Sequence, residues 1–385
     1  MNWVPREKIP GEMLNRKIML KMMNAIQENY PPYNLTRLSE ILDIADSTLE
    51  KYFNLIRDRS FASPVVDFSR KLLNLKYVMA IIKGKWLESS PLKDYWLVGR
   101  FHTSLGTVLG YFFPVNDINA INNLKNSINA EIYQFDDMYN SRPNWLYYYD
   151  EKNDKLYDID KIYKMLDNHP PINYEIKNPL RKPDALDVLI LAALGSDAIG
   201  NYRLLINAFK GPSPLRKFKP FSSFKYHLSH AKLYSRGGAF LPKVGLNSFN
   251  LRLKESMPFT SGYILLRGSN KNIRDIFKRL LAFPFVGQIL LGDNVIYFNY
   301  VIDSRYFDIT IVNEYKQYSW DEVIQFNLQG HDIKERYILP FREYNPILKE
   351  WVPNSNLEEI ARRKVKLSEF EEWYNKHYLE IKENQ

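Results

Sequence analysis

Polar side chains at helical spacing, directly after an apolar run, are the first candidates for chemistry. The segment from Leu38 to Asp58 contains a predicted helix start at Ser47, where Glu50 completes a capping box. A recognition helix reads DNA bases with such exposed side chains. Amides suit adenine, carboxylates suit cytosine, and Lys or Arg suits guanine or phosphate. The candidate DNA-contacting residues of this helix are Ser47, Thr48, Glu50, Lys51, Asn54 and Arg57.

A strongly basic block supplies the second set of candidates. The chain has 53 Lys and Arg residues against 44 Asp and Glu residues, and its net charge is +9. Residues 198–254 contain eleven of the basic residues and no acidic residue, so this block holds the whole excess of positive charge. Such a block favours a nucleic-acid contact surface over the alternative, a solvated basic face without a partner.

Within the basic block, a loop and a helix have different expected contacts. Basic side chains on the loop suit phosphates, which position a protein on DNA without specifying its sequence. A predicted helix over residues 224–234 turns polar side chains outward, and a predicted β-wing follows it. The candidate DNA-contacting residues of the block are Arg216, Lys217, Lys219, Lys225, Tyr226, Ser229, Lys232 and Arg236.

Other residue patterns give weak support for catalysis. The absence of Cys excludes disulfides, thiolate zinc sites, iron–sulfur clusters and Cys nucleophiles. His227 and His230 lie three residues apart, a spacing that metal ligands use, but residues 198–254 offer them no acidic partner. The chain also lacks the motifs of a phosphate-binding loop and of a nucleophile elbow. The sequence therefore predicts no enzyme, no metal and no cofactor.

Two alternative functions stay open. Aromatic residues spread through the basic block could stack on unpaired bases, which would suit a protein that binds RNA or single-stranded nucleic acid. The weaker alternative is a DNA-processing enzyme. Residues 191–200, LAALGSDAIG, faintly resemble the LAGLIDADG helix of homing endonucleases, but Asp197 is the only acidic residue there.

The elements that must position these residues alternate between helical and strand periodicity. Apolar residues at helical spacing predict three helices within residues 13–58. Residues 72–135 then follow the order β-α-β-β-α-β of a ferredoxin-like domain. In the second half, helices are predicted at 184–194, 201–210 and 224–234, followed by a wing of two strands at 239–244 and 249–253. A second α/β segment is predicted over 262–328. The chain then has a predicted helix that starts with a capping box at Ser368.

Residues 38–58 resemble the helix-turn-helix of bacterial and archaeal transcription regulators. The similarity lies in a Leu-rich second helix, Ile44 at the turn and the Ser47-Thr48 start, while Asp43 stands where glycine often occurs. A winged helix-turn-helix followed by a ferredoxin-like domain resembles the leucine-responsive (Lrp/AsnC) family, here in tandem duplicate. In that family the α/β domain pairs subunits and binds small effectors, so the resemblance allows a homodimer and a small-molecule effector as partners.

The predicted fold class is α+β, with two winged helix-turn-helix modules alternating with two ferredoxin-like modules and a C-terminal helix. The expected domains are 1–71 (first winged helix-turn-helix), 72–135 (first ferredoxin-like module), 136–183 (linker), 184–256 (basic winged helix-turn-helix), 257–330 (second ferredoxin-like module) and 331–385 (C-terminal tail).

The predicted function is that of a transcription regulator that binds double-stranded DNA. The charged N-terminus shows no signal peptide, and the longest strongly apolar run, Val188 to Leu194, is too short to span a bilayer. We therefore expect a cytoplasmic protein without a membrane partner. Abundant Lys, Ile, Asn and Tyr suggest an AT-rich, archaeal-type genome.

Overall fold

The structure is a computed structural model. It describes residues 16–28, 35–58, 62–87, 96–115, 118–177, 179–196, 205, 221–242, 259–327, 344–345 and 349–351. Helices and antiparallel sheets occur together, so the protein has α+β character. The predicted helix at 201–210, the second wing strand at 249–253 and the C-terminal helix from Ser368 lie outside the described residues.

Three helices open the described chain, as their apolar spacing predicts. They are α1 (Arg16–Glu28), α2 (Leu35–Leu42) and α3 (Asp46–Asp58). Met22, Leu38 and Leu49 are buried between them. Asp43 has φ +53°, the left-handed conformation for which glycine is the usual choice. Helix α3 starts at Asp46, so Ser47 lies in its first turn and is not the N-cap that the sequence suggested.

The first sheet has four antiparallel strands in the order β3-β4-β2-β5. Its members are β2 (Leu75–Lys83), β3 (Trp96–Thr103), β4 (Gly106–Pro114) and β5 (Glu131–Phe135), and α4 (Ile118–Ser127) connects the last two. Strands β2 and β4 are buried almost throughout because both faces of this sheet are covered. One face packs on α4, and the other packs on the second sheet.

The second sheet repeats this order and adds one strand. Its order is β13-β10-β12-β11-β6, with β6 (Asp137–Asn140) at the edge. Strand β6 comes from the segment between the two halves, which the sequence suggested as a linker. The other strands are β10 (Phe259–Arg267), β11 (Val286–Leu291), β12 (Val295–Asp303) and β13 (Glu322–Phe326). Helix α8 (Asn270–Ala282) connects β10 to β11. A π-helical turn (Asp308–Val312) and the short helix α9 (Asn313–Lys316) lie between β12 and β13.

The two sheets pack face to face through aromatic side chains. Phe135 of the first sheet lies 6.3 Å from Tyr297 of the second, and Phe101 lies 6.0 Å from Tyr263, measured between ring centroids. All four side chains are buried. One continuous core therefore joins the two halves of the chain.

A separate two-stranded sheet joins the helical parts. Strand β1 (Ala62–Phe68) pairs antiparallel with β9 (Ser235–Pro242). The sequence instead suggested that residues 239–244 pair with residues 249–253. Residues 249–253 lie outside the described residues, so that pairing stays a prediction, but the sequence did not identify residues 62–68, which contain Pro64, as the strand that pairs with β9. Helix α6 (Ala185–Ser196) packs on β1, and α7 (Phe221–Ala231) packs on α6.

Short elements complete the described fold. They are the paired strands β7 (Tyr149–Asp150) and β8 (Lys155–Leu156), helix α5 (Ile159–Met165), and the paired strands β14 (Tyr344–Asn345) and β15 (Glu350–Trp351). Among the described residues, no helix has both the length and the apolar character that crossing a membrane requires.

Candidate ligand-binding site

The predicted recognition helix α3 keeps its polar face outward where the side chains are described. Ser47, Glu50 and Lys51 are exposed, and Thr48 is half-buried. Asn54 and Arg57 lie in the same helix, but their side chains are outside the described part of the structure.

The candidates of the basic block separate into three groups. Lys225, Tyr226, Ser229 and Lys232 are exposed on or just after α7, as predicted. Arg216, Lys217 and Lys219 lie outside the described residues. The side chain of Arg236 is only 3% exposed because it forms ion pairs with Asp67 and Asp137. Arg236 is therefore not available to a phosphate group in this conformation.

A large open cavity lies between the two halves of the chain. We call it the basin; its volume is about 1000 Å³. Its walls include the turn after β1, strand β6, residues 174–176 and 179–183, helix α8 and the β14–β15 pair. This volume is at the upper end of the range for small-molecule sites. The basin is therefore large enough for a cofactor-sized molecule.

Positive charge predominates in the lining of the basin. Six cationic residues line it against three acidic residues. Three of the cations already have partners: Arg236 pairs with Asp137, Lys182 with Glu350 at 2.8 Å, and Arg181 lies 3.5 Å from Asp184. The other three have no ion-pair partner among the residues that the structure describes, and they are Lys71, Arg274 and Lys349.

Aromatic and aliphatic side chains line the basin between these cations. Tyr139 and Tyr174 are half-buried, and both rings pack edge-on against Phe277, with centroid distances of 4.7 and 5.0 Å. Leu180 and Val115 expose apolar surface at the same cavity. The basin thus combines apolar contact surface with cations that form no ion pair within the described part of the chain.

A buried ionic network forms the floor of the basin. Asp137 accepts hydrogen bonds from the Ser69 hydroxyl at 2.6 Å and from the Arg70 amide at 2.7 Å, and it pairs with Arg236. The Arg236 guanidinium also lies 3.9 Å from the centre of the Tyr139 ring. Burial lowers the pKa of Arg70 to about 10 and raises the pKa of Asp67. The network positions Tyr139 and holds β6 to β1 and β9.

A second buried group lies behind the basin wall at residues 181–183. We call Asp184, Asp187, His227 and His230 the Asp187 cluster. Asp187, which is fully buried, has one carboxylate oxygen 2.9 Å from Nδ1 of His227 and the other 2.6 Å from Nδ1 of His230. Asp184 contributes an oxygen 3.2 Å from Nδ1 of His227. The cluster joins the start of α6 to α7.

Opposite charges set the protonation of this cluster. Burial alone would lower the pKa of His227, but hydrogen bonds and charge attraction from Asp184 and Asp187 outweigh it and raise the pKa to about 9. Burial alone would raise the pKa of Asp184, but its bonds to His227 and to backbone amides lower it to about 2. His227 is therefore an imidazolium at neutral pH.

The Asp187 cluster also corrects the argument that His227 and His230 lack the acidic partners that a metal site would need. The two histidines do have acidic partners, because Asp184 and Asp187, at the start of α6 and before residues 198–254, contact them in the folded chain. Asp184, Asp187 and His227 could hold a cation, since one ligand atom from each lies within 4.8 Å of the others. Protonated His227 together with Arg181 already balances the two carboxylates. One sequence signal could have revealed the cluster: Asp187 is a charged residue inside the otherwise apolar segment 185–194.

Comparison with known proteins gives few matches. No family model matches the chain, and no curated protein matches it. Two solved structures align with it: a siroheme decarboxylase NirDL, and the same protein in complex with an iron-uroporphyrin III analogue. Each alignment has 9% sequence identity and a TM-score of 0.42, and it covers 81% of this chain and 91% of the other.

These comparisons correct the functional prediction. The sequence suggested a non-enzymatic transcription regulator that binds duplex DNA, whereas both aligned structures are of an enzyme, a siroheme decarboxylase. Neither alternative, a single-stranded nucleic-acid binder or a DNA-processing enzyme, gains support from them. The error came from giving weight to the helix-turn-helix pattern and the basic block, which describe a fold and a charge but not a ligand.

Proposed function

We propose that the basin binds a bulky organic anion that carries several acidic groups on an apolar, ring-containing framework. One observation carries the proposal: Lys71, Arg274 and Lys349, which form no ion pair with any residue that the structure describes, line the same cavity as half-buried aromatic rings. Ligand sites are commonly apolar clefts in which a few charged groups fix the orientation. The basin has both features.

The cations come from separate elements, which bears on the shape of the ligand. Lys71 follows β1, Arg274 lies on α8, and Lys349 precedes β15. A ligand with several acidic groups can pair with more than one of these cations, whereas an anion with a single acidic group cannot neutralise all three. Each charge-assisted contact contributes roughly 1.5–3 kcal/mol where water is largely excluded.

A titration with charged porphyrins tests this proposal. Uroporphyrin III is a suitable probe because it joins a rigid aromatic ring to carboxylate groups. A porphyrin of similar size with cationic substituents is the matched control. We expect the carboxylated porphyrin to bind, followed by its absorbance, and the cationic porphyrin to bind far more weakly. Equal binding of both, or binding of neither, would contradict the proposal.

We also propose that the chain is a tandem duplicate of a winged helix-turn-helix and a ferredoxin-like module, as in the Lrp/AsnC architecture. The first four strands of each sheet share one order, in which the first strand lies between the third and the fourth. The similarity between the two sheets extends to individual residue pairs. Tyr77 pairs with Phe135 as Tyr263 pairs with Phe326, and the ion pairs Lys83–Glu131 and Arg267–Glu322 link the same two strands.

The predicted domain boundaries follow from this duplication and remain proposals. The face-to-face packing of the two sheets supports a repeat whose modules pair within one chain. The homodimer, the small effector and the cytoplasmic location also stay predictions. Sedimentation equilibrium tests the first of them, because a monomer at micromolar concentration would contradict a stable homodimer.

A further inference from the structure

A second, smaller pocket shares only Arg236 with the lining of the basin. We call it the Arg142 pocket; its volume is about 470 Å³. Its lining comes from the end of α1, from Arg142 and Asn144 after β6, and from residues 169–173. It is therefore a separate cavity, and its size suits a small molecule.

The buried ionic network beside this pocket has more cations than carboxylates. Its carboxylates are Asp67 and Asp137, and the guanidinium groups of Arg70, Arg142 and Arg236 all act on Asp67. Arg236 pairs with both carboxylates, and Arg70 lies 3.9 Å from Asp67. Arg142 forms no ion pair with any residue that the structure describes. As far as the chain is described, one positive charge therefore has no buried carboxylate to balance it.

Helix capping accounts for only part of the role of Arg142. Its Nη2 atom donates a hydrogen bond to the carbonyl of Gln27, near the end of α1. A guanidinium carries several N–H donors, and this is the one contact of its side chain with a described acceptor. Burial lowers the pKa of Arg142, and the more distant charges of Asp67 and Glu28 offset this effect only in part. A half-buried guanidinium with spare donors favours a bound anion.

Two side-chain amides add further donors to the Arg142 pocket. Oδ1 of Asn144 accepts a hydrogen bond from Nδ2 of Asn24 at 2.7 Å, and Oδ1 of Asn173 accepts the backbone amide of Glu175 at 3.3 Å. The Nδ2 groups of Asn144 and Asn173 have no acceptor among the residues described. Both residues line the pocket, so these groups are available to an anion beside Arg142.

The remaining lining favours a ligand with one negative charge. Ile172 and Pro171 supply apolar surface. His169 adds no charge, because burial lowers its pKa and its Nε2 atom accepts the backbone amide of Asn144 at 3.2 Å. Glu28 is an exposed member of the lining, and its carboxylate repels a second acidic group on a ligand.

We propose that the Arg142 pocket binds a small carboxylate that carries a single negative charge on a short apolar body. The carboxylate pairs with Arg142, accepts hydrogen bonds from Asn144 and Asn173, and balances the surplus charge of the network. A phosphate monoester offers similar anionic oxygens, but it carries about 1.5–2 negative charges at neutral pH, which Glu28 disfavours. The inference does not depend on the proposed function, because the pocket is separate from the basin.

Calorimetric titration of the full chain with benzoate and benzamide tests the proposal. The two probes have nearly the same shape, but only benzoate is an anion. Benzoate should bind at least about tenfold more tightly, because its contact with Arg142 is charge-assisted. Isophthalate, a dianion, and inorganic phosphate should both bind more weakly than benzoate. Equal binding of benzoate and benzamide, binding of isophthalate or phosphate as tight as that of benzoate, or binding of no probe would overturn the proposal.

Variants assign the binding to this pocket. Arg142→Gln keeps a donor for the carbonyl of Gln27 but removes the charge, so it should weaken benzoate binding more than about tenfold. Lys71→Glu combined with Arg274→Glu changes the basin and should leave benzoate binding at the wild-type level. Unchanged binding in Arg142→Gln, or lost binding in the basin variant, would overturn the assignment. The selectivity of the wild-type chain tests the proposal even if Arg142→Gln does not fold.

Discussion

Folding stability should fall as the pH rises, because the folded chain holds a proton on His227 that the unfolded chain releases. The pKa of His227 rises from an ordinary 6.5 to about 9 in the folded state. Its stabilising contribution is therefore complete below pH 6.5 and is lost as the pH approaches 9. At 1.36 kcal/mol for each unit of pKa, the free energy of unfolding should fall by up to about 3 kcal/mol over this interval.

Guanidinium denaturation at several pH values across this interval measures the effect. We expect the free energy of unfolding of the wild-type chain to decline, while that of His227→Gln stays nearly level. The control is His169→Gln, since burial lowers the pKa of His169 and this group does not titrate in the interval. Parallel curves for the wild type and His227→Gln would refute the ion-pair reasoning, because the pH effect would then come from other groups.

Substitutions at four positions test the ionic network, one close backbone approach and the shared core by chemical denaturation. Asp137→Ala should cost about 3–5 kcal/mol, because it removes the nearer of the two buried carboxylates that pair with Arg236, and a cost near zero would show that the pair is not buried. Gly237→Ala should be far more destabilising than Gly84→Ala. Both glycines have positive φ, but only at Gly237 would a Cβ lie 2.4 Å from a backbone oxygen, so equal costs would contradict this close approach. Phe135→Ala should cost about 3–5 kcal/mol if the two sheets share one core, and a surface-like cost would argue against that packing.

Local patterns predicted the elements whose neighbours along the chain are also their neighbours in space. The hairpin of β3 and β4 and the helices α1 to α3 formed within a few residues of their predicted bounds. The apolar segment 188–194 is buried, as its composition predicted. In each case the apolar periodicity alone determines which face is covered, so no distant partner is needed to recognise the element.

Elements that depend on distant partners were not predictable in the same way. Strand β1 gains its hydrogen bonds from β9, which lies more than a hundred residues later in the chain. The basin also draws its lining from many separate segments, spread between Ser69 and Trp351. The basic residues near Arg236 in the sequence suggested that it contacts DNA. In the structure, Arg236 is instead buried in ion pairs with Asp67 and Asp137, which lie on other strands. Charge within a segment therefore does not show whether a side chain reaches solvent.

The most direct test of the account is a charge reversal in the basin. Lys71→Glu combined with Arg274→Glu changes two cations of the lining, whereas Lys278→Glu combined with Lys316→Glu changes two exposed lysines outside the lining by the same total charge. The dissociation constant of uroporphyrin III should rise more than about tenfold in the first double variant and change little in the second. Equal effects in both would contradict a ligand bound in the basin.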